Sequence, residues 1–163
     1  IYQLADYYTL FYFRFLKDQY VKDEHFWTHT LDNPKRRTWA GYAFEQICKD
    51  HIRQIKKSIG ISAVLNEQAS WRSKESESGA QIDLLIARRD RVINICEIKF
   101  SLSPYTIDKD YDTRLRNKLE VFRQETGTRD ALHLTFITTY GVKQNMYSGL
   151  VQSEVVMDDL FAE

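Results

Sequence analysis

Three charged residues interrupt two short apolar runs in the middle of the chain. Asp83 lies in residues 81–87, and Glu97 and Lys99 lie in residues 95–100. Both runs are rich in isoleucine, and the charged residues between them predict two antiparallel strands joined by a tight turn. Carboxylates beside a lysine can bind a hard divalent cation and act on a phosphate ester. The pattern therefore suggests a metal-dependent nuclease.

The register of this hairpin follows if the turn is centred on Asp90. Residues equidistant from Asp90 then face each other, so that Asp83 pairs with Glu97 and Gln81 pairs with Lys99. Side-chain alternation places Glu97 and Lys99 on one face of their strand, roughly 7 Å apart. Opposed carboxylates destabilise neighbouring strands unless a cation lies between them, which can be Lys99, an arginine or a metal ion. Of these three cations, a divalent metal ion is the more specific hypothesis.

A plain salt bridge between one carboxylate and Lys99 explains the same residues without any function, because a Glu-x-Lys triplet also arises by chance. Both strands are apolar on their other face, which predicts a centrally buried sheet. The apolar residues are Ile82, Leu84 and Ile86 in one strand and Val92, Cys96, Ile98 and Phe100 in the other. Unpaired charge is costly in such a place and clusters at functional sites. The functional interpretation is therefore favoured over the structural one.

A long helix is predicted between Pro34 and Gly60, with an apolar stripe along one side. Glu45 lies next to this stripe. From a helix beside the sheet it can reach a metal held by the strand carboxylates, or it can pair with Lys49 or Arg53. Both interpretations stay open.

The other segments predict an α/β fold with a mixed central sheet flanked by helices. A first strand is expected around residues 63–71, a helix over 108–125, a strand over 131–140 and a short terminal element over 155–161. In the 108–125 helix, Leu115, Leu119 and Phe122 should face inward, whereas Arg114 and Lys118 should face outward. Near the N-terminus, an aromatic helix over residues 7–17, capped by Asp6, is too apolar for solvent, so we expect it to pack on another domain or subunit.

An Asp strand followed by a Glu-x-Lys strand and preceded by a helix with a glutamate resembles the PD-(D/E)xK nuclease superfamily of restriction endonucleases and junction resolvases. The Gly41-x-x-Phe44-Glu45 sequence and the aromatic residues 2–15 are similar to the nuclease-like C-terminal domain of prokaryotic, archaeal-type AAA ATPases. The resemblance covers nearly the whole chain. It departs from the superfamily name in one place, since Ile82 replaces the proline before the aspartate without touching a ligand.

This resemblance implies a restriction endonuclease-like αβββαβ core over residues 35–163, preceded by a helical extension over residues 1–34. It implies a metal-dependent phosphodiesterase of the DNA endonuclease type. Magnesium or manganese would be bound by Asp83, Glu97 and the backbone carbonyl of Ile98. Lys99 would position the attacking water or stabilise the pentacovalent phosphate.

Two further residues have expected roles in the same site. Glu45 would orient water or assist a second ion. Gln81, predicted opposite Lys99, would hold that lysine or a metal-bound water.

The amino-acid composition leaves other functions open. The 163 residues, 43% of them hydrophobic, suffice for a full core, and 23 basic and 23 acidic residues give no net charge. This balance counts mildly against tight nucleic-acid binding, although basic clusters such as residues 35–37, 88–91 and 114–118 can contact phosphate or simply face solvent. Two alternatives stay open: a nuclease-like module that binds DNA without cutting it, and a protein-interaction or regulatory module of an ATPase. Zero net charge and the aromatic N-terminal helix favour the second of these.

The expected partners are DNA and an N-terminal ATPase domain of the same polypeptide. The chain contains no phosphate-binding loop of the Gly-x-x-x-x-Gly-Lys-Ser/Thr type and begins at Ile1, which fits a fragment of a longer protein. Two cysteines and four scattered histidines fit neither a zinc site nor a disulfide scaffold and favour the cytoplasm. No membrane association is expected, and self-association into a homo-oligomer is left open.

Overall fold

The computed structural model of the protein describes residues 6–17, 24–30, 33–74 and 80–162. The chain divides into two compact units, Ile1–Ile47 and Cys48–Glu163. Residues 2–5 of the aromatic segment lie outside the described residues. Within the described part, no helix is both long and apolar enough to cross a membrane.

The first unit is built from short helices and aromatic side chains. It contains α1 (Tyr7–Phe11), which continues as a π-helical turn over Tyr12–Leu16, α2 (Phe26–His29) and most of α3 (Pro34–Asp50). Asp6 caps α1 as predicted, because its carboxylate accepts a hydrogen bond from the Thr9 backbone N–H at 2.6 Å.

Four aromatic rings pack against one another in this unit. Phe11 and Phe15 contact each other and the indole rings of Trp27 and Trp39, with ring centroids 5.2 to 5.8 Å apart. Phe15 is buried, whereas Phe13 on the other side of the helix is exposed. The predicted packing of this helix on another domain or subunit stays a prediction.

The second unit contains a five-stranded mixed sheet. Its strands lie in sequence order and are β1 (Asn66–Arg72), β2 (Gln81–Arg88), β3 (Val92–Lys99), β4 (Ala131–Thr138) and β5 (Ser153–Val156). The first three strands are antiparallel neighbours, while β4 runs parallel to β3 and β5 runs parallel to β4. The predicted α/β class with a mixed sheet is confirmed.

The turn between β2 and β3 sets the register that the sequence predicts. Leu84 pairs with Cys96 and Ile86 pairs with Asn94, and both pairs are equidistant from Asp90. Arg91 adopts a φ of 65°, and the Arg88 guanidinium binds the Asp90 carboxylate, which closes the turn. The hairpin is thereby fixed by its turn.

A helix connects the two parallel strands β3 and β4, as such a crossover requires. This helix, α5 (Lys109–Thr126), is capped by Asp108, which accepts the Tyr111 backbone N–H, and it ends at Gly127 with a φ of 62°. Its inward residues Leu115 and Phe122 are buried against one face of the sheet, as predicted. One cluster of the core of this unit therefore lies between α5 and the sheet.

The helix predicted between Pro34 and Gly60 is wrong in one respect, since it forms two helices. Helix α3 ends at Asp50 and α4 covers Ile52–Ser58. His51 has φ −106° and ψ 28°, outside the helical region, so the helical conformation is interrupted there. Gly60 follows α4 with a φ of 72°, as expected for a residue that ends a helix.

Candidate active site

Glu97 lies near the end of β3, on the face of the sheet that carries α5. Alternation along the strand places it on the same side as Ile93 and Ile95, which belong to the core beneath α5. Only 5% of its side chain is accessible. A carboxylate buried to this extent requires hydrogen bonds and a counter-charge, since an isolated buried charge is very unfavourable.

Three side chains supply these contacts. The Lys118 ammonium donates a hydrogen bond to Oε1 of Glu97, and the Tyr111 hydroxyl donates to Oε2 at 2.8 Å. The ammonium of Lys99 lies 3.7 Å from the same Oε2. Two of the three partners come from α5, so the helix holds the carboxylate in place.

The predicted outward position of Lys118 is wrong. Residues 111, 115, 118 and 122 fall on one side of an α-helix, and Leu115 and Phe122 of this set are buried in the core. Lys118 therefore begins on the inward face, where its aliphatic stem can follow the stripe while the ammonium reaches Glu97. The accessible fraction of its side chain is 21%.

Tyr111 contacts Glu97 through its hydroxyl and two cationic side chains through its ring. Burial and, next, the neighbouring Glu97 carboxylate raise the pKa of the Tyr111 hydroxyl, which therefore stays protonated and acts as a donor. The Lys99 ammonium and the Arg114 guanidinium lie 5.4 and 5.1 Å from the centre of its ring. The surroundings of Glu97 thus contain more positive than negative charge.

Asp83 lies at the start of β2 in a more open environment. Its Oδ1 accepts a hydrogen bond from the Gln81 amide, and the Gln81 carbonyl oxygen accepts one from the guanidinium of Arg72 on β1. Asp83 also lines a cavity of about 300 Å³, together with residues of α3, α4, β1 and β2: Lys49, Ile52, Gln68, Ala69, Ser70 and Leu84.

The two predicted cross-strand pairs lie just beyond the paired part of the hairpin. Within the described strands, the β2–β3 pairing ends at Leu84 and Cys96, so neither Asp83 with Glu97 nor Gln81 with Lys99 forms a register pair. An irregularity on β1 between Ala69 and Trp71 shifts the β1–β2 register at this same end. The structure joins Glu97 to Lys99 and Asp83 to Gln81, but it makes no pair between these two groups.

The remaining predicted residues have the expected secondary structure. Glu45 lies on α3, partly buried, within the first compact unit, and its role toward the strand carboxylates stays a prediction. Ile98 lies between Glu97 and Lys99 in β3 and pairs with Ile137 of β4. Its carbonyl as a metal ligand also stays a prediction.

The sequence prediction did not include Tyr111 and Lys118 in the site. A signal for both was present, because their spacing of seven residues places them on the inward stripe of α5. A lysine at such a position indicates a buried acidic partner on the element beneath it.

The donor types available suit magnesium or manganese, which prefer carboxylate and carbonyl oxygens. Each oxygen of Glu97 accepts one hydrogen bond and so retains a second acceptor position. Among the described residues, no group of three or more histidine, cysteine, aspartate or glutamate side chains is arranged to hold a metal ion. A bound ion would therefore rely on two carboxylates, backbone carbonyl oxygen and water.

Comparison with known proteins gives no relative, since no protein-family model, curated protein or solved structure matches the chain.

Proposed function

We propose that this chain is a metal-dependent phosphodiesterase domain that acts on DNA. The observation that carries the proposal is the buried Glu97 carboxylate with the Lys99 ammonium 3.7 Å away, at the end of a hairpin whose other strand carries Asp83 near its start. A carboxylate and a lysine on one strand, with a second carboxylate on its neighbour, match the chemistry needed to hydrolyse a phosphodiester.

Magnesium or manganese would be held by Asp83, Glu97 and the Ile98 carbonyl, and would supply a nucleophilic water and charge neutralisation for the phosphate. Lys99 is 35% accessible, so its ammonium can donate to a phosphate oxygen or orient the attacking water. Glu97 is positioned by two side chains of α5 and would supply a carboxylate oxygen to the ion.

Gln81 has a supporting role in this proposal. Its amide donates to Asp83 while its carbonyl oxygen accepts from Arg72, so it fixes the orientation of the Asp83 carboxylate. Glu45, on α3, would orient water or assist a second ion.

The proposed setting is an AAA-type ATPase in the cytoplasm, with the ATPase domain N-terminal to this one. The support is the resemblance of the aromatic N-terminal segment and of residues 41–45 to such proteins. The aromatic residues exposed on the first unit, among them Tyr8 and Phe13, offer a surface for that domain.

A second candidate function is a module that binds DNA or a regulatory partner without cleavage. One observation favours it: Lys118 already neutralises the charge of Glu97, so the ion pair is complete without a metal. In that case the group formed by Glu97, Lys99, Tyr111 and Lys118, here called the Glu97 cluster, serves to stabilise the fold.

Cleavage of supercoiled and single-stranded DNA with magnesium or manganese tests the proposal. Wild type, Asp83→Asn and Lys99→Ala are prepared identically, with Lys143→Ala as a control that removes an exposed lysine. We expect nicking by wild type and the control and none by the two site variants. Equal nicking by all four proteins would indicate a contaminant and reject the assignment, and no nicking by any would favour the non-catalytic module.

A further inference from the structure

The Glu97 cluster contains two lysines for one carboxylate. Lys99 and Lys118 both contact Glu97, but they do so from different elements and at different distances. Lys118 of α5 forms a direct hydrogen bond to Oε1, whereas Lys99 of β3 lies 3.7 Å from Oε2. One cation is enough to neutralise one carboxylate, so the second ammonium needs its own explanation.

The position of Lys118 makes the contact specific. It comes from the inward stripe of α5 between the buried residues Leu115 and Phe122. An apolar side chain would be the ordinary choice there, since holding an ammonium at 21% exposure costs solvation unless it is paired. Within the described part of the chain, the side-chain polar contact of Lys118 is with the candidate metal ligand Glu97.

We propose that Lys118 is the resident counter-ion of Glu97 and competes with a divalent cation for this carboxylate. This inference rests on the proposed function, because it assumes that Glu97 binds metal. Metal binding then requires the Lys118 ammonium to leave Oε1. Lys118 then exchanges its contact with Glu97 for a contact with another partner.

Electrostatics gives the direction of the effect. An ammonium within hydrogen-bond distance of a carboxylate oxygen repels a doubly charged ion that approaches the same carboxylate, and the repulsion is strengthened by the low accessibility of the site. Lys99 and Arg114 add to it, while Tyr111 contributes a neutral hydroxyl. Lys118 should therefore weaken the binding of metal alone.

The displaced ammonium has an obvious new partner in the proposed reaction, namely a phosphate of the substrate. A phosphodiester that pairs with Lys118 would relieve its competition for Glu97, so metal and phosphodiester should bind more tightly together than separately. Such coupling is reciprocal, and each ligand increases the affinity for the other by the same factor. Lys118 would then reduce metal loading in the absence of substrate.

The test measures Mn²⁺ binding directly, by loss of the free Mn²⁺ signal in electron paramagnetic resonance, and requires no catalytic activity. The proteins are the 163-residue wild type, Lys118→Met and Lys118→Arg, with Lys109→Met as a control at an exposed position of the same helix. Lys118→Gln serves as a second charge-removing variant, because its amide can still donate to Glu97 if the methionine variant fails to fold. Glu97→Gln is combined with each background to identify binding at this carboxylate.

We expect Lys118→Met and Lys118→Gln to bind Mn²⁺ about tenfold more tightly than wild type, a factor that corresponds to about 1.4 kcal/mol. Lys118→Arg and Lys109→Met should match wild type, and Glu97→Gln should remove the gain. A short non-hydrolysable DNA, with phosphorothioate linkages, should tighten Mn²⁺ binding to wild type more than to Lys118→Met.

Two results would overturn the inference and are distinguishable. If wild type binds Mn²⁺ through Glu97 with the same affinity as both charge-removing variants, Lys118 does not compete, and the proposed function stands. If no variant binds Mn²⁺ in a manner that depends on Glu97, the metal site itself is rejected, together with the inference that rests on it.

Discussion

Glu97 and Asp83 lie at the ends of neighbouring strands, yet their surroundings differ. Glu97 is 5% accessible and is held by an ammonium and a hydroxyl from α5. Asp83 is partly exposed, lines a cavity and is held by the amide of Gln81. One carboxylate is part of the core beneath α5, and the other lies at the more open end of β2.

Because of this difference, we expect the two carboxylates of one candidate site to contribute unequally to the stability of the fold. A buried ion pair becomes strongly destabilising when one partner is removed, because the remaining charge stays desolvated. A partly exposed carboxylate at the end of a strand can be replaced at low cost, because water solvates what remains. Substitutions at the two positions should therefore have different consequences, although the proposed chemistry uses both residues.

The largest effect is expected for Glu97→Ala. It leaves the Lys118 ammonium without its partner in a place where only 21% of the side chain is accessible, and should lower the free energy of unfolding by about 3 kcal/mol. Urea denaturation in the presence of EDTA measures this. Adding Lys118→Met to Glu97→Ala should restore part of the loss, because both charges are then absent.

Asp83→Ala is the matched control for this comparison, with an expected loss of no more than about 0.5 kcal/mol. Similar losses for Glu97→Ala and Asp83→Ala would show that the two carboxylates do not differ in their structural importance.

A smaller effect, with a pH signature, is expected for Tyr111→Phe. The substitution removes a hydrogen bond to a buried carboxylate and should lower the free energy of unfolding by about 1.5 to 2 kcal/mol at pH 7. Burial and Glu97 raise the pKa of Tyr111 above its ordinary 10.0, so the folded state keeps the proton that the unfolded state releases. The stabilisation by Tyr111 is therefore fully present below pH 10 and declines as the pH rises above 10.

Unfolding free energies of wild type and Tyr111→Phe, compared from pH 8 to pH 11, test this expectation. The difference between the two proteins should be constant up to about pH 10 and shrink above it. Tyr140→Phe, which alters an exposed tyrosine, should show no comparable difference at any pH. A gap between wild type and Tyr111→Phe that is unchanged at pH 11 would contradict the assigned role of the hydroxyl.

The sequence was sufficient for the β2–β3 hairpin, its register and α5, and the reasons are local. Asp90 and its arginine neighbours mark a turn, and the turn fixes which residues of β2 and β3 face each other. The amphipathic pattern of residues 108–125 likewise identifies α5. Neither prediction needed knowledge of distant contacts.

The failures arose where a distant contact decides the outcome. Lys118 was expected to face solvent because of its charge. It instead faces inward, because it lies on the inward stripe of α5 and pairs with Glu97 beneath it. The β2–β3 pairing ends at Leu84, short of Asp83, and at this same end β1 is irregular between Ala69 and Trp71. Neither feature is marked by glycine or proline in the sequence. The predicted long helix is likewise interrupted at His51, where the sequence has neither glycine nor proline.

The smallest effect on stability, and the most informative for function, is expected for Asp83→Asn. It replaces one oxygen acceptor of a partly exposed side chain, so in EDTA its free energy of unfolding should stay within about 0.5 kcal/mol of wild type. If Asp83 holds the metal, Mn²⁺ at a hundredfold excess over its Kd stabilises wild type by about 2.7 kcal/mol and leaves Asp83→Asn unchanged. Thermal and urea denaturation with and without Mn²⁺ measure both quantities.

Asp158→Asn, at an exposed position away from the sheet, controls for the loss of one negative charge and should respond to Mn²⁺ like wild type. A wild type that does not respond to Mn²⁺ would identify the Glu97 cluster as a structural ion pair. A response retained in Asp83→Asn would place the metal elsewhere. The contrast between the two carboxylates predicts a third pattern, in which Asp83 contributes to metal binding while contributing almost nothing to the stability of the fold.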